Sequence, residues 1–67
     1  MAKQHVPQLG DRYRVIDISD THHNKIGTVI MMEEWYYYPI HMEFDDGRKM
    51  AYRIEELQLV ESATAER

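Results

Sequence analysis

The segment Asp45-Asp46-Gly47-Arg48 limits what this chain can become more than any other stretch. Before it, Tyr38, Ile40, Met42 and Phe44 alternate with other residues, and after it Met50 and Tyr52 resume the alternation. An Asp-Gly pair between two alternating runs supplies the positive φ angles of a tight hairpin, so the runs are expected to be neighbouring antiparallel strands. Period-two alternation turns one face of each strand to a core, which places Tyr38, Ile40, Met42 and Phe44 inward. Pro39 has no N–H and belongs at the start of its strand or on an edge.

The rest of the chain continues this β reading. Arg12 to Ile18 alternates at first, then carries Ile16 and Ile18 on the opposite parity, as in a strand that bends or bulges. Ser19 to Lys25 is wholly polar and rich in side chains that bond their own backbone, which predicts a solvated loop. Ile26 to Met32 is short and rich in branched residues, with Gly27 where a neighbouring chain passes closely, and reads as a second strand. Glu33 to Tyr37 reads as a wide turn. Ile54 and Leu57 stand three apart, which suits one helical turn, and Gln58-Leu59-Val60 is extended again. Five short strands with turns roughly every 8 to 12 residues, and one 3-10 turn before the last strand, predict an all-β fold built as a small five-stranded antiparallel barrel. Residues 1–9 are expected to form an extended arm, 10–60 the barrel and 61–67 a flexible tail.

The order Gly10-Asp11-Arg12-Tyr13-Arg14-Val15, Ile26-Gly27-Thr28-Val29-Ile30, Ile40-His41-Met42-Glu43-Phe44-Asp45-Asp46-Gly47 and Tyr52-Arg53-Ile54-Glu55-Glu56-Leu57-Gln58-Leu59-Val60 resembles the SH3-like barrel group. Within it, the pattern is similar to KOW and Tudor-type modules, to the small accessory barrel of photosystem I and to the ferredoxin–thioredoxin reductase variable-chain barrel. The shared positions are core, turn and glycine positions over residues 10 to 60. The resemblance implies an adaptor that binds proteins, peptides or nucleic acids, without a common catalytic centre.

Size and charge narrow the function classes. In 67 residues a filled core leaves little material for an enclosed active site, so the expectation is a protein that is not an enzyme and needs no cofactor. Twelve acidic against eight basic side chains give a net charge of −4, which disfavours general attraction to phosphate backbones. There is no cysteine, hence no disulfide and no thiolate metal site. No apolar run approaches the roughly 20 residues of a membrane helix, and the first residues lack a signal-peptide core, so a cytoplasmic location without membrane attachment is expected.

Two surfaces carry the functional expectations. Trp35-Tyr36-Tyr37 concentrates aromatic rings in a turn, flanked by Glu33 and Glu34, in a span from 33 to 46 that also holds Asp45 and Asp46 and has no lysine or arginine. Exposed Trp and Tyr are typical interface anchors, and carboxylates steer a basic partner. Glu33, Glu34, Trp35, Tyr36, Tyr37, Asp45 and Asp46 are therefore read as a surface for a protein partner with a basic or mixed face. The chain would then be an accessory subunit or regulator of a larger enzyme, such as a nucleic-acid-processing one, present as a monomer or homodimer. The alternative is a nucleic-acid-binding barrel using a basic stripe of Arg12, Arg14, Arg48, Lys49 and Arg53, which requires the first and fourth strands to bring these side chains together. Asp20, His22 and His23 offer metal-ligand chemistry inside one loop, but adjacent histidines diverge on an extended chain, so no metal site is expected. His41 has the parity of a surface residue.

Overall fold

The computed structural model describes residues 6–63. Five strands follow in chain order: β1 (Arg12–Val15), β2 (Ile26–Met32), β3 (Ile40–Phe44), β4 (Lys49–Tyr52) and β5 (Leu57–Glu61), with a 3-10 turn at Ile54–Glu56 between the last two. All pairings are antiparallel, in one sheet of order β4-β3-β2-β1-β5. The hydrogen-bonded ladder leaves β4 and β5 as its two edges and does not close on itself. Among the described residues no helix is long and apolar enough to cross a membrane.

Alternation selects the buried face. Tyr13 and Val15 of β1, Val29 of β2, Ile40, Met42 and Phe44 of β3, Tyr52 of β4 and Leu57 of β5 form the core, with Met50 packed against it. Gly27 shares that inward face, paired with Tyr13 on one side and Phe44 on the other. A Cβ there would lie 2.9 Å from the Phe44 ring, so the glycine makes room for that ring. The hairpin forms at the expected place with a different turn. Phe44 N–H bonds the Arg48 carbonyl at 2.9 Å, Gly47 N–H bonds the Phe44 carbonyl at 2.9 Å, and Gly47 has φ +85° while Asp46 does not have a positive φ. Three residues therefore turn the chain, with glycine alone in the left-handed region.

Several boundaries differ from the sequence reading. The first strand ends at Val15, not Ile18, because Val15 N–H and C=O are taken by Lys25 and Asn24, which closes the connecting loop at its base. Ile18 consequently stands 83% exposed. The third strand begins at Ile40, because the Pro39 carbonyl accepts from Glu33 N–H at 2.9 Å and closes the preceding loop. Tyr38 is thereby left outside the ladder, 44% exposed instead of in the core. The last strand runs from Leu57 to Glu61, wider than 58 to 60. The 3-10 turn is capped by its own sequence, with the Glu56 carboxylate accepting from Arg53 N–H at 2.9 Å.

Two polar anchors hold the periphery. Asp11 is fully buried, and its carboxylate accepts from Gln8 N–H at 2.9 Å, Ala63 N–H at 2.7 Å and Tyr13 Oη–H at 3.4 Å. This group joins the segment entering β1 to the segment leaving β5, so residues 61–63 are held rather than free. The remainder of the expected arm and tail, residues 1–5 and 64–67, lies outside the described residues. The second anchor is His22, in the loop expected to be solvated. Its ring is only 5% exposed and stacks on Phe44 with centroids 4.2 Å apart and planes 17° from parallel. Neighbouring Asp20 accepts from Tyr52 Oη–H at 2.9 Å, which ties the same loop to β4.

Candidate aromatic interface

The loop from 33 to 39 connects β2 to β3. Beyond the Glu33–Pro39 closure, Tyr36 N–H bonds the Glu33 carbonyl at 3.1 Å, so the tip is a compact turn. A turn this tight has no interior, and its side chains point outward: Trp35 is 82% exposed and Tyr37 68%, with Tyr36 and Glu34 exposed beside them. Glu33, at the base, is half-buried.

The loop is braced at one point. Arg53, just before the 3-10 turn, donates from Nη1 to the Tyr37 hydroxyl at 2.8 Å, and its guanidinium carbon lies 4.7 Å from the Tyr37 ring centroid. Arg53 Nη2 also pairs with Glu55. Tyr37 in turn meets Tyr38 edge-on at 4.8 Å, and Tyr36 approaches the His41 ring at 5.8 Å. Between the loop, the end of β2 and the 3-10 turn runs an open groove of about 740 Å³. Met32, Tyr36, Tyr37 and Ile54 give it an apolar wall, and Glu34 and Glu55 lie on its rim.

The other sequence-selected residues are distributed differently. Asp45 and Asp46 sit in the β3–β4 hairpin, at the far end of β3 from the aromatic loop, and five residues of strand separate them by about 17 Å. They therefore do not join Glu33 and Glu34 in one patch. Asp46 is committed locally. Its Oδ1 accepts from Arg48 N–H at 2.9 Å and its Oδ2 meets His22 Nε2 at 3.3 Å, and these contacts, the Arg48 one foremost, hold its carboxyl below the usual carboxylate range.

The basic residues do not form one stripe. β2 and β3 separate β1 from β4, and the register sets Lys49 opposite Glu43, Glu43 opposite Thr28, Thr28 opposite Arg12 and Arg12 opposite Glu61. Positive and negative charges thus alternate across that row. Arg14 stands between Ile26 and Gln58, Arg48 borders Asp46, and Arg53 is engaged with Tyr37 and Glu55. In the polar loop, His22 is buried and His23 only half-buried. Among the described residues no three His, Asp or Glu side chains converge as a metal-binding group.

Sequence reasoning singled out Trp35, Tyr36 and Tyr37, which the structure exposes, and missed what frames them. The groove depends on Met32, Ile54 and the incoming Val6 and Pro7, residues far apart along the chain and ordinary in composition. Arg53 was indistinguishable from the other cations because its contact with Tyr37 spans sixteen positions. Comparison with known protein families, curated proteins and solved structures finds no match for this chain.

Proposed function

We propose that the chain is a non-enzymatic protein-binding module on an SH3-like frame, an accessory subunit or regulator of a larger enzyme, which docks through the loop from Glu33 to Tyr37 and its adjoining groove. The strand order, with a 3-10 turn between the two edge strands, supports the frame. The single observation that carries the binding reading is Trp35, standing 82% exposed and followed in the chain by Tyr36 and Tyr37, which line an apolar groove. A large ring held in water on a braced loop has area to bury and little conformational entropy left to lose, the profile of an interface anchor. Glu33 and Glu34 add negative charge beside the rings, which speeds encounter with a basic or mixed surface and makes association faster at low salt, while Glu55 is paired with Arg53.

The test is affinity capture with the tagged protein, with and without nuclease and at two salt concentrations. A stoichiometric protein partner that survives nuclease and is lost in the Trp35→Ala, Tyr36→Ala double variant is the expected result. Recovery that requires nucleic acid and fails instead in Arg12→Glu, Arg14→Glu overturns the reading in favour of the basic side chains.

A further inference from the structure

The end of the sheet opposite the aromatic loop carries a second concavity, about 400 Å³, between the loop that follows β1 and the β3–β4 hairpin. Its size lies within the roughly 300–1,000 Å³ range of small-molecule sites. We propose that it binds a small zwitterion of the amino-acid type, with the carboxylate against Arg12 and Lys25 and the ammonium toward Asp45.

Charge accounting carries the proposal. Four charged side chains line the pocket: Arg12, Lys25, Asp45 and Asp46. Asp46 is satisfied by Arg48 N–H and His22. Arg12, Lys25 and Asp45 make no ion pair among the described residues although they share one pocket, so opposite charges are held apart across it. Arg12 Nε is buried without any hydrogen-bond acceptor, a donor withdrawn from water with no partner in return. A ligand with a carboxylate at one end and an ammonium at the other answers all three groups at once. A simple anion would satisfy the cations yet meet Asp45 unpaired, on a chain whose net charge is already −4.

The walls are set before any ligand arrives. The Lys25 backbone is fixed on both sides, its N–H bonding the His22 carbonyl at 2.8 Å and its carbonyl accepting from Val15 N–H at 3.0 Å. Asn24, at φ +71°, makes the turn that delivers it. Arg12 is set by ladders to both β2 and β5, and the stacked His22 and Phe44 rings make one wall. A fixed backbone here leaves only side-chain freedom to be lost on binding. The site is separate from the aromatic loop and does not rest on its role.

The experiment is an NMR titration of the whole chain with γ-aminobutyrate, acetate and propylammonium, following the backbone amides of Asn24 and Lys25 and the Arg12 Nε–H. Saturable shifts are expected with γ-aminobutyrate at a midpoint about tenfold or more below either single-charge probe. Arg12→Gln and Lys25→Gln should each weaken it by about tenfold, Asp45→Asn should bring it to the level of acetate, and Trp35→Ala should leave it unchanged. Lys25 and Asp45 are exposed, so those variants test the site even if Arg12→Gln disturbs the sheet. Equal midpoints for acetate and γ-aminobutyrate, an unchanged midpoint in Lys25→Gln, or no saturable shift would each overturn the proposal.

Discussion

Replacing Gly27 by alanine tests a close approach inside the sheet. The added Cβ would lie 2.9 Å from Phe44 Cε1, 3.0 Å from Cδ1 and 3.1 Å from the Glu43 carbonyl oxygen, against an ordinary contact of about 3.4–4 Å. The Phe44 ring cannot simply withdraw, because His22 is stacked on it and Tyr52 meets it edge-on at 6.2 Å. The Glu43 oxygen belongs to the backbone of the partner strand. Forcing a methyl group into such a site costs about 1–3 kcal/mol, while the smaller entropy of an unfolded alanine chain returns about 0.4–1 kcal/mol. A net loss of about 1–2 kcal/mol lowers Tm by roughly 4–16 °C in a domain of this size. Thermal and urea denaturation of Gly27→Ala, Phe44→Leu and the double variant measure it. The double variant should be less destabilised than the sum of the singles, since the smaller side chain relieves the clash. Gly47→Ala is the control. No atom lies within 4 Å of its Cβ, so its cost of about 1–2 kcal/mol comes from φ +85° alone and should be additive with Phe44→Leu. A Gly27→Ala protein as stable as the parent, or strict additivity with Phe44→Leu, would refute the packing argument.

Other outcomes follow from the same contacts. Asp11→Ala should destabilise by about 1–3 kcal/mol in urea titration, because it removes the acceptor of the buried Tyr13 hydroxyl and of the less buried Gln8 and Ala63 N–H groups; a loss below about 0.5 kcal/mol would mean that this carboxylate is not the anchor described. Burial, then the adjoining Asp11 carboxylate, pushes the Tyr13 hydroxyl up to about 12, and burial with the bond to Asp20 pushes Tyr52 up further. The unfolded chain loses these protons from about pH 10 while the folded chain keeps them, so stability is complete below pH 10 and falls as pH rises toward 12 and beyond. Tyrosinate absorbance followed alongside circular dichroism should show two of the five tyrosines ionising only as the fold is lost; tyrosinate absorbance amounting to all five rings with the fold intact would contradict the burial of Tyr13 and Tyr52. Trp35 fluorescence in the free protein should be solvent-like and readily quenched by iodide or acrylamide, and a blue-shifted, protected emission would remove the exposed anchor on which the proposed interface depends.

Local chemistry determined much of this protein unaided. The β character, the hairpin after Phe44, the limits of β2, the 3-10 turn from Ile54 and the inward face of Ile40, Met42 and Phe44 all follow from alternation, glycine and spacing, which act between residues a few positions apart. Local pattern put at least one of Trp35, Tyr36 and Tyr37 outward, and the structure exposes all three. Tertiary structure decided what depends on distant partners. Tyr38 shared the parity of the core but stands outside it, because the Pro39 carbonyl bonds Glu33 and ends the ladder one residue later. His22, in a polar stretch, is buried because Phe44 and Asp46, more than twenty positions onward, receive its ring. Asp45 and Asp46 were near the aromatic cluster in sequence but are held apart from it by the length of β3, while Arg53, far along the chain, folds onto Tyr37. A strand carries neighbours in sequence away from one another at about 3.4 Å per residue, whereas the ladder brings remote segments within about 5 Å, so surfaces and pockets belong to the sheet rather than to the string.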